Sequence, residues 1–472
     1  MTFEIFLAVF GFLLLFCLFA NKISSVWGIP SLLVFLSVGM LAGQDGLGGI
    51  PFHDYQLTNY VGTIALAFIL FAGGLGTDWK AVRPILFRGT ILSTAGVALT
   101  AFFLFVCARY LFRLSFEISL LISVILSSTD AAAVFNALRS GGLTLKSDKL
   151  KALLEFESGS NDPMAVILSV SALSLLSSTE KFTASEAFVD FIKQMVIGIL
   201  CGYFFGKLAL YTLKHIDLKQ SLTDVLGISI VFLVFTLTQF LSGNGYLALY
   251  LCGIILGNKT YRYRKSFMEF YDSFGWVMQI TMFLTLGLLV NPHELREVVW
   301  ESLGICFCLM FIARPLAVAI CLYKSGYTIK EQSFIFWAGL KGAVPIILAT
   351  YPMMSGFKES QYLFNLIFFL VILSVLIQGK TLPILAKRLD LASENEEETT
   401  QENALTSEDI KTFKENAIEF MKETAEEIQW FFGKLVARAE KLVNAFQIKK
   451  FLTSKIVVQS QSADDDKTDA GE

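Results

Sequence analysis

The sequence LLEFESGSNDPMAVILSV, from Leu153 to Val170, sets the interpretation of the whole chain. Its ends are apolar and it is long enough to enter a lipid bilayer, but its middle holds Glu157, Ser158, Asn161 and Asp162. A carboxylate inside a membrane helix is costly, so its presence indicates a function by default. Residues four apart share a face of a helix, and these four side chains therefore form one broad polar stripe. The stripe contains oxygens and no basic residue, which suits a small cation or a proton.

The composition is that of a membrane protein. Of the 472 residues, 54% are apolar and 17% are charged, and the mean hydropathy is +0.61. A soluble protein has about a quarter of its residues charged. Apolar runs of roughly 20 residues, the length of a membrane-spanning helix, account for the difference. We therefore predict an all-α polytopic membrane protein.

The residues present do not indicate a nucleic-acid partner, disulfide bonds, a cysteine metal site or a cofactor. The net charge is −3 and the sequence has no basic block, so no nucleic-acid partner is expected. The seven cysteines all lie in apolar runs, where they are typical of small core residues rather than of disulfides or metal ligands. The three histidines are scattered near loops. We expect no cofactor.

About thirteen hydrophobic segments are predicted within a transmembrane domain of residues 1–388. Their approximate spans are 3–21, 28–43, 59–76, 85–110, 115–136, 153–177, 188–213, 221–241, 246–257, 272–292, 297–323, 331–352 and 363–386. The loops on one side carry roughly 16 Lys and Arg residues and those on the other side roughly 5. Because Lys and Arg concentrate in cytoplasmic loops, we expect the N-terminus outside and the C-terminus in the cytoplasm of a cell whose inner membrane holds the protein.

Two of these segments carry a charge and helix-breaking residues at their centres. Segment five includes the stretch ISVILSSTDAAAVFNAL, which begins at Ile122 and surrounds Asp130, and segment twelve includes the stretch FIFWAGLKGAVPIILAT, which begins at Phe334 and surrounds Lys341. This combination is typical of a discontinuous helix, in which the charges offset the dipoles of the half-helix ends. The interruptions lie seven segments apart, as two inverted six-helix repeats would place them. Plain kinks with unrelated charges are the alternative.

The character of the chain changes after the last hydrophobic segment. Residues 389–408 are acidic and polar and predict a solvated linker. Residues 409–452 have apolar side chains three or four apart, which predicts a cytosolic amphipathic helix. Residues 453–472 are expected to be a disordered tail.

The charged residues predicted to lie inside the membrane form two groups, a structural ion pair and a candidate ion-binding site. Arg314 needs a carboxylate partner inside the membrane, and Glu157 is the natural candidate for a structural pair. Asp162 is then left without an obvious cationic partner. Together with Asp130, Ser158 and the carbonyl of Thr129, it offers the carboxylate, hydroxyl and carbonyl oxygens that hard cations prefer. A carboxylate that holds either a proton or a metal ion is sufficient chemistry for exchange of the two.

Four motifs resemble the NhaP-type branch of the monovalent cation:proton antiporter family. They are SSTDAAAV at residues 127–134, FESGSNDPMAV at 156–166, ARPLAV at 313–318 and GLKGAVPIILA at 339–349. The form of the FESGSNDPMAV motif is similar to that of the potassium/proton antiporters of the branch. The resemblance implies a homodimer of thirteen-helix chains with crossed broken helices and elevator-like alternation.

The resemblance also implies a role for individual residues. Asp162 would carry the ion and the proton, and Thr129, Asp130 and Ser158 would coordinate the monovalent cation. The Glu157–Arg314 pair, with Asn161 alongside, matches a structural ion pair of the family. Asn161 stands where electrogenic relatives have a second aspartate, so one-for-one, electroneutral exchange is expected. Lys341 stands where the family usually has arginine, and it supplies the positive charge at the helix break.

The sequence leaves open both the cation and the class of transporter. It does not distinguish Na⁺ from K⁺ as the ion exchanged for H⁺. The first alternative function is a cation channel, although the sequence contains no filter-like TVGYG loop. The second is a membrane-embedded enzyme, but no intramembrane histidine or pair of cysteines supplies catalytic ligands. Antiport across the bilayer is therefore the leading hypothesis.

Overall fold

The computed structural model describes residues 3–26, 30–177, 184–216 and 218–394, most of which are helical. The first half of the chain forms seven helices, which are α1 (Phe3–Val26), α2 (Ser31–Ala42), α3 (Tyr55–Gly76), α4 (Trp79–Leu111), α5 (Phe116–Ile125), α6 (Ala131–Ser140) and α7 (Asp148–Ser177). A short strand, β1 (Leu143–Leu145), lies between the last two.

The second half of the described chain forms eight further helices and one strand. The helices are α8 (Ala184–His215), α9 (Gln220–Phe240), α10 (Gly245–Gly257), α11 (Arg264–Leu288), α12 (Glu294–Cys321), α13 (Ile329–Trp337), α14 (Ala343–Met354) and α15 (Ser360–Arg388). The strand, β2, is Ala392–Glu394. The prediction of an all-helical membrane fold is confirmed.

The lengths of the helices fit a bilayer, as the apolar runs predicted. Six helices of the described residues are long and apolar enough to cross a membrane, namely α3, α4, α8, α9, α12 and α15. Five shorter apolar stretches lie in α1, α2, α5, α10 and α14. The count of thirteen membrane spans stays a prediction.

The two predicted interruptions are present, and local chemistry explains where each half-helix begins. Segment five ends its first half at Ile125 and begins its second half at Ala131, and segment twelve is open between Trp337 and Ala343. Asp130 begins α6 as an N-cap, because its Oδ1 accepts the N–H of Ala133 at 3.0 Å. The extended backbone between the half-helices carries polar groups that a continuous helix would have satisfied.

A two-stranded antiparallel sheet is the element that the sequence did not predict. Strand β1 pairs with β2, so that Thr144 lies opposite Ser393. The first residues of the predicted linker at 389–408 are therefore folded against the transmembrane domain. Lys146 donates a hydrogen bond to Asp390, and this bond lowers the pKa of the exposed Asp390 carboxyl. The rest of the linker, the predicted helix at 409–452 and the predicted tail at 453–472 lie outside the described residues.

Glycine allows α3 and α10 to approach backbone to backbone. A Cβ on Gly74 would overlap the carbonyl oxygen of Tyr250, and a Cβ on Gly253 would lie 2.5 Å from the carbonyl oxygen of Phe71. Small residues at such contacts let membrane helices pack closely where lipid supplies no hydrophobic driving force. The two helices therefore pack with their backbones in direct contact.

We predict that Gly74→Ala destabilises the protein and that Gly73→Ala does not. The methyl group at residue 74 meets main-chain atoms that cannot move aside, and such overpacking costs about 1–3 kcal/mol. Gly73 has open space at its Cβ position on the same helix, so its substitution changes only helix propensity. The measurement is the thermal unfolding midpoint in detergent. Equal midpoints for the two variants would contradict the close packing of α3 on α10.

Candidate ion-binding site

The two interrupted helices cross and are joined by hydrogen bonds at their breaks. The N–H of Asp130 donates to the carbonyl of Leu340 at 2.9 Å. In the other direction, Lys341 donates its Nζ to the carbonyl of Ser128 at 2.7 Å. Each break therefore supplies a hydrogen-bond partner to a backbone group of the other break, where no helical partner is present. This contact holds the crossing together.

The charges at the crossing match the helix ends that meet there. The N-termini of α6 and α14 both lie beside Asp130, because a Cβ on Gly342 would overlap the Asp130 carboxylate. Half-helix N-termini carry partial positive charge and C-termini partial negative charge. The buried Lys341 ammonium lies just beyond the C-terminus of α5 through its bond to Ser128. An aspartate thus complements two N-termini, and a lysine complements a C-terminus.

Two polar side chains of α7 hold the break in segment five. Ser158 accepts the N–H of Ala131 at 2.9 Å and donates to the carbonyl of Thr129 at 3.0 Å. Asn161 donates to Oγ1 of Thr129 at 2.6 Å and accepts its N–H at 3.3 Å. The residues predicted to form the site are therefore brought together.

A matching pair on α15 holds the break in segment twelve, and the sequence analysis missed it. The N–H of Lys341 donates to the hydroxyl of Ser374 at 3.2 Å, and that hydroxyl donates to Gln378 at 2.6 Å. Gln378 in turn donates to the carbonyl of Trp337, the last residue of α13, at 2.9 Å. Both side chains are buried. A glutamine inside the apolar run IFFLVILSVLIQG was the signal available in the sequence.

Glu157 and Arg314 lie next to the crossing and contact each other. Nη2 of Arg314 lies 2.5 Å from Oε1 of Glu157, and both side chains are almost completely buried. Helix α12 widens into a π turn at Leu309–Ala313 directly before Arg314. The next residue, Pro315, has no N–H to close an ordinary helical bond, which accounts for the irregular turn. The pair neutralises two charges that the bilayer would otherwise exclude.

Asp162 is placed differently from the other charged residues of the site. As whole residues, Asp162 and Asp130 are partly exposed, whereas Glu157, Arg314 and Lys341 are buried. The described part of the chain places no basic side chain in ion-pair contact with Asp162, although Lys341 and Asp130 lie near enough to act on it electrostatically. Asp162 thus differs from Glu157, which is buried and paired with Arg314.

Two oxygens near Asp162 were not assigned to the site from the sequence. The buried hydroxyl of Ser128 interacts with the Asp162 carboxylate without meeting full hydrogen-bond geometry. Pro163 lacks the N–H that would bond to the carbonyl of Gly159, which frees a main-chain oxygen one turn from Asp162. Hydroxyl, carbonyl and carboxylate oxygens together are suited to a hard monovalent cation.

Comparison with known proteins gives consistent results for the transmembrane domain. The sequence profile of the family described as "Sodium/hydrogen exchanger, transmembrane" matches residues 10–388. The chain is 42% identical over 370 residues to a protein of Shewanella sp. (strain MR-4) named K(+)/H(+) antiporter NhaP2, a match that covers 78% of this chain and 64% of the relative. The chain thus spans under two thirds of that relative's length.

Other relatives extend the comparison to a second cation and to a solved structure. A K(+)/H(+) antiporter NhaP of Alkalimonas amylolytica is 39% identical over 407 residues, covering 85% of this chain and 70% of the relative. The Na(+)/H(+) antiporter ApNhaP of Aphanothece halophytica is 26% identical over 405 residues, a match that covers 80% of this chain and 74% of the relative. The fold resembles that of the sodium proton antiporter MjNhaP1 from Methanocaldococcus jannaschii, with a TM-score of 0.71 and 21% sequence identity. The superposition covers 82% of this chain and 99% of MjNhaP1.

Three findings point to the same family: the crossing of two broken helices, the polar stripe of α7 and the profile match. The match extends across the breaks and both supporting helices, up to the last residue of α15. The chain belongs to the transmembrane sodium/hydrogen exchanger family.

Proposed function

We propose that the protein is a secondary antiporter that exchanges a monovalent cation for H⁺ by alternating access, with Asp162 as the group for which the two compete. The observation that carries this proposal is the contrast at the crossing. Glu157 and Arg314 neutralise each other, and Lys341 is bonded to the carbonyl of Ser128 just beyond the end of α5. Asp162 is a partly exposed residue, and no ion pair joins it to any other described residue. A carboxylate in that position binds a cation or a proton, and its two loaded states are both neutral.

Competition on one carboxylate couples the two fluxes without a covalent step. When Asp162 is ionised, it binds the cation together with oxygens of Thr129, Ser158 and Asp130. When it is protonated, the cation is released. A passage that opens to one side of the membrane at a time then carries the cation one way and the proton the other.

The names of the relatives favour K⁺ as the cation. The two relatives at about 40% identity are named for K⁺/H⁺ exchange, and the relative at 26% identity is named for Na⁺/H⁺ exchange. We therefore propose K⁺ as the better substrate and Na⁺ as the second candidate. The remaining proposals are that the N-terminus lies outside, that the C-terminal residues lie in the cytoplasm and that the chain is a homodimer in the inner membrane, as loop charge and family resemblance imply.

Reconstitution into liposomes tests the proposed function directly. Internal pH is followed after the addition of K⁺, Na⁺, Li⁺ or Rb⁺, and the gradient of the active cation is then reversed. An antiporter gives proton flux that saturates with the cation and reverses with its gradient. Cation flux that continues without proton flux would indicate a channel and contradict the proposal.

We predict that Asp162→Asn abolishes exchange. An amide neither binds the cation by charge nor releases a proton, so the flux should fall to the leak of protein-free liposomes. Asp148→Asn, the same substitution at an exposed position at the start of α7, is the matched control and should retain the wild-type rate. Cation-driven proton flux in folded Asp162→Asn protein would remove this residue from the mechanism.

We predict that Glu157 and Arg314 are energetically coupled. Removal of one partner leaves an unpaired buried charge, which costs about 3–5 kcal/mol, and removal of both recovers part of that loss. Unfolding free energies of Glu157→Gln, Arg314→Met and the double variant give the coupling as a double-mutant cycle. If the two effects simply add, the pair has no structural role.

We predict that exchange is electroneutral. One carboxylate changes its load in each cycle, so one cation and one proton cross in opposite directions and no net charge moves. A potential of 100 mV does work of about 2.3 kcal/mol on each net charge that crosses. The null point of the exchange should therefore stay constant when a thiocyanate gradient sets the potential. A null point that moves with voltage would require a second titrating group, with Asp130 or Glu157 the candidate.

A further inference from the structure

We propose that the contact between α3 and α14 is a gate, and that the hydrogen bond between Asn59 and Thr350 is its latch. The gate closes one of the two routes to Asp162, at the end of the bundle where α3 begins and α14 ends. The inference rests on the proposed function, because only a transporter with alternating access needs a contact that opens and closes. It assigns positioning roles to residues outside the site described above.

The two helices meet in a regular antiparallel register. Nδ2 of Asn59 donates to Oγ1 of Thr350 at 3.0 Å, and both side chains are buried. Three residues further along α3, and three residues back along α14, a Cβ on Gly62 would lie 3.0 Å from the Ile347 side chain. One turn of each helix thus contributes a polar contact, and the next turn contributes an apolar contact on a glycine.

A cavity lies at the outer end of this contact, about one helical turn from the latch. Its volume is about 580 Å³, and it is lined by His53, Asp54, Tyr55, Gln56, Met353 and Met354. Gln56 precedes Asn59 by three residues and Met353 follows Thr350 by three, so the cavity and the latch lie on the same seam. Polar and acidic residues of the lining suit the approach of a hydrated cation.

The inner end of the same seam leads to the crossing. Ile347 is four residues, about one turn, from Ala343 at the N-terminus of α14. The preceding residue, Gly342, contacts the Asp130 carboxylate. The seam therefore runs from the cavity, past the latch and Ile347, to an acidic group of the ion site.

The chemistry of the latch suits a contact that must break repeatedly. The hydroxyls of Tyr351 and Tyr246 and the side chain of Thr63 interact around Asn59, so the seam has a polar centre. A buried hydrogen bond that can be exchanged for one to water contributes little net free energy. The polar centre closes the seam and lets it reopen.

The test is a reversible cross-link across the seam. Cysteines replace Asn59 and Thr350 together, and a short bis-methanethiosulfonate reagent joins them. We expect the cross-linked protein to lose at least tenfold in exchange rate in liposomes and to recover after reduction. Each single cysteine variant and the wild type, with its native cysteines, receive the same treatment, and the reagent should not change the rate that each protein had before treatment.

The matched control is a second cysteine pair that does not cross the seam. Thr144 and Ser393 face each other in the β1–β2 sheet, with hydroxyls 3.3 Å apart at the surface. A cross-link there should form without loss of exchange. If the Asn59–Thr350 cross-link forms and exchange continues within twofold of the reduced protein, the gate is refuted while the proposed function stands. If wild-type protein exchanges no cation for protons, the proposed function fails and the gate fails with it.

A second measurement tests the gate if the double cysteine variant does not fold. The thiol of Ile347→Cys lies beneath the latch, and its rate of labelling by a water-soluble maleimide reports how often the seam opens. Asn59→Ala removes the latch, and loss of one hydrogen bond of ordinary net strength should increase that rate roughly fivefold. A labelling rate unchanged by Asn59→Ala would overturn the proposal.

Discussion

The structure depends on the crossing of two interrupted helices and on the two charges that stabilise it. Four half-helix ends meet inside the transmembrane domain, where unsatisfied backbone groups and uncompensated dipoles are costly. Asp130 complements the N-termini of α6 and α14, and Lys341 binds a carbonyl beyond the C-terminus of α5. The two charges therefore stabilise helix ends that have no continuing helix to satisfy them.

The helices that follow each break supply the second layer of support. Ser158 and Asn161 of α7 bind the backbone of the first break, and Ser374 and Gln378 of α15 bind that of the second. The two supports come from equivalent positions in the chain order, one helix after each break, as inverted repeats require. The first support adjoins Asp162, whereas the second adjoins Lys341. The two supports thus lie beside side chains of opposite charge, and the basic one, Lys341, is bonded to the carbonyl of Ser128.

The sequence was sufficient for the breaks and for most of the site because charges inside apolar runs are rare and need partners. Asp130, Asp162, Lys341 and the partners Glu157 and Arg314 stand out for that reason, although spacing alone could not show which oxygen meets which. The neutral polar residues of these contacts were harder to identify from the sequence. Ser374, Gln378 and the latch at Asn59 and Thr350 depend on contacts between distant segments, and a single amide or hydroxyl in an apolar run is also common at ordinary helix packing. The β1–β2 sheet was missed because three-residue strands 250 residues apart carry no periodic signal.

The central claim is that a cation and a proton compete for the Asp162 carboxylate. It is tested most directly by the apparent affinity for K⁺ as a function of pH, obtained from the stabilisation that the cation gives against thermal unfolding. Competition predicts that the apparent Kd rises about tenfold for each unit by which pH falls through the range where the carboxyl is protonated, and that Asp162→Asn loses the stabilisation. An apparent Kd that is independent of pH, in protein that still exchanges K⁺ for H⁺, would contradict the account.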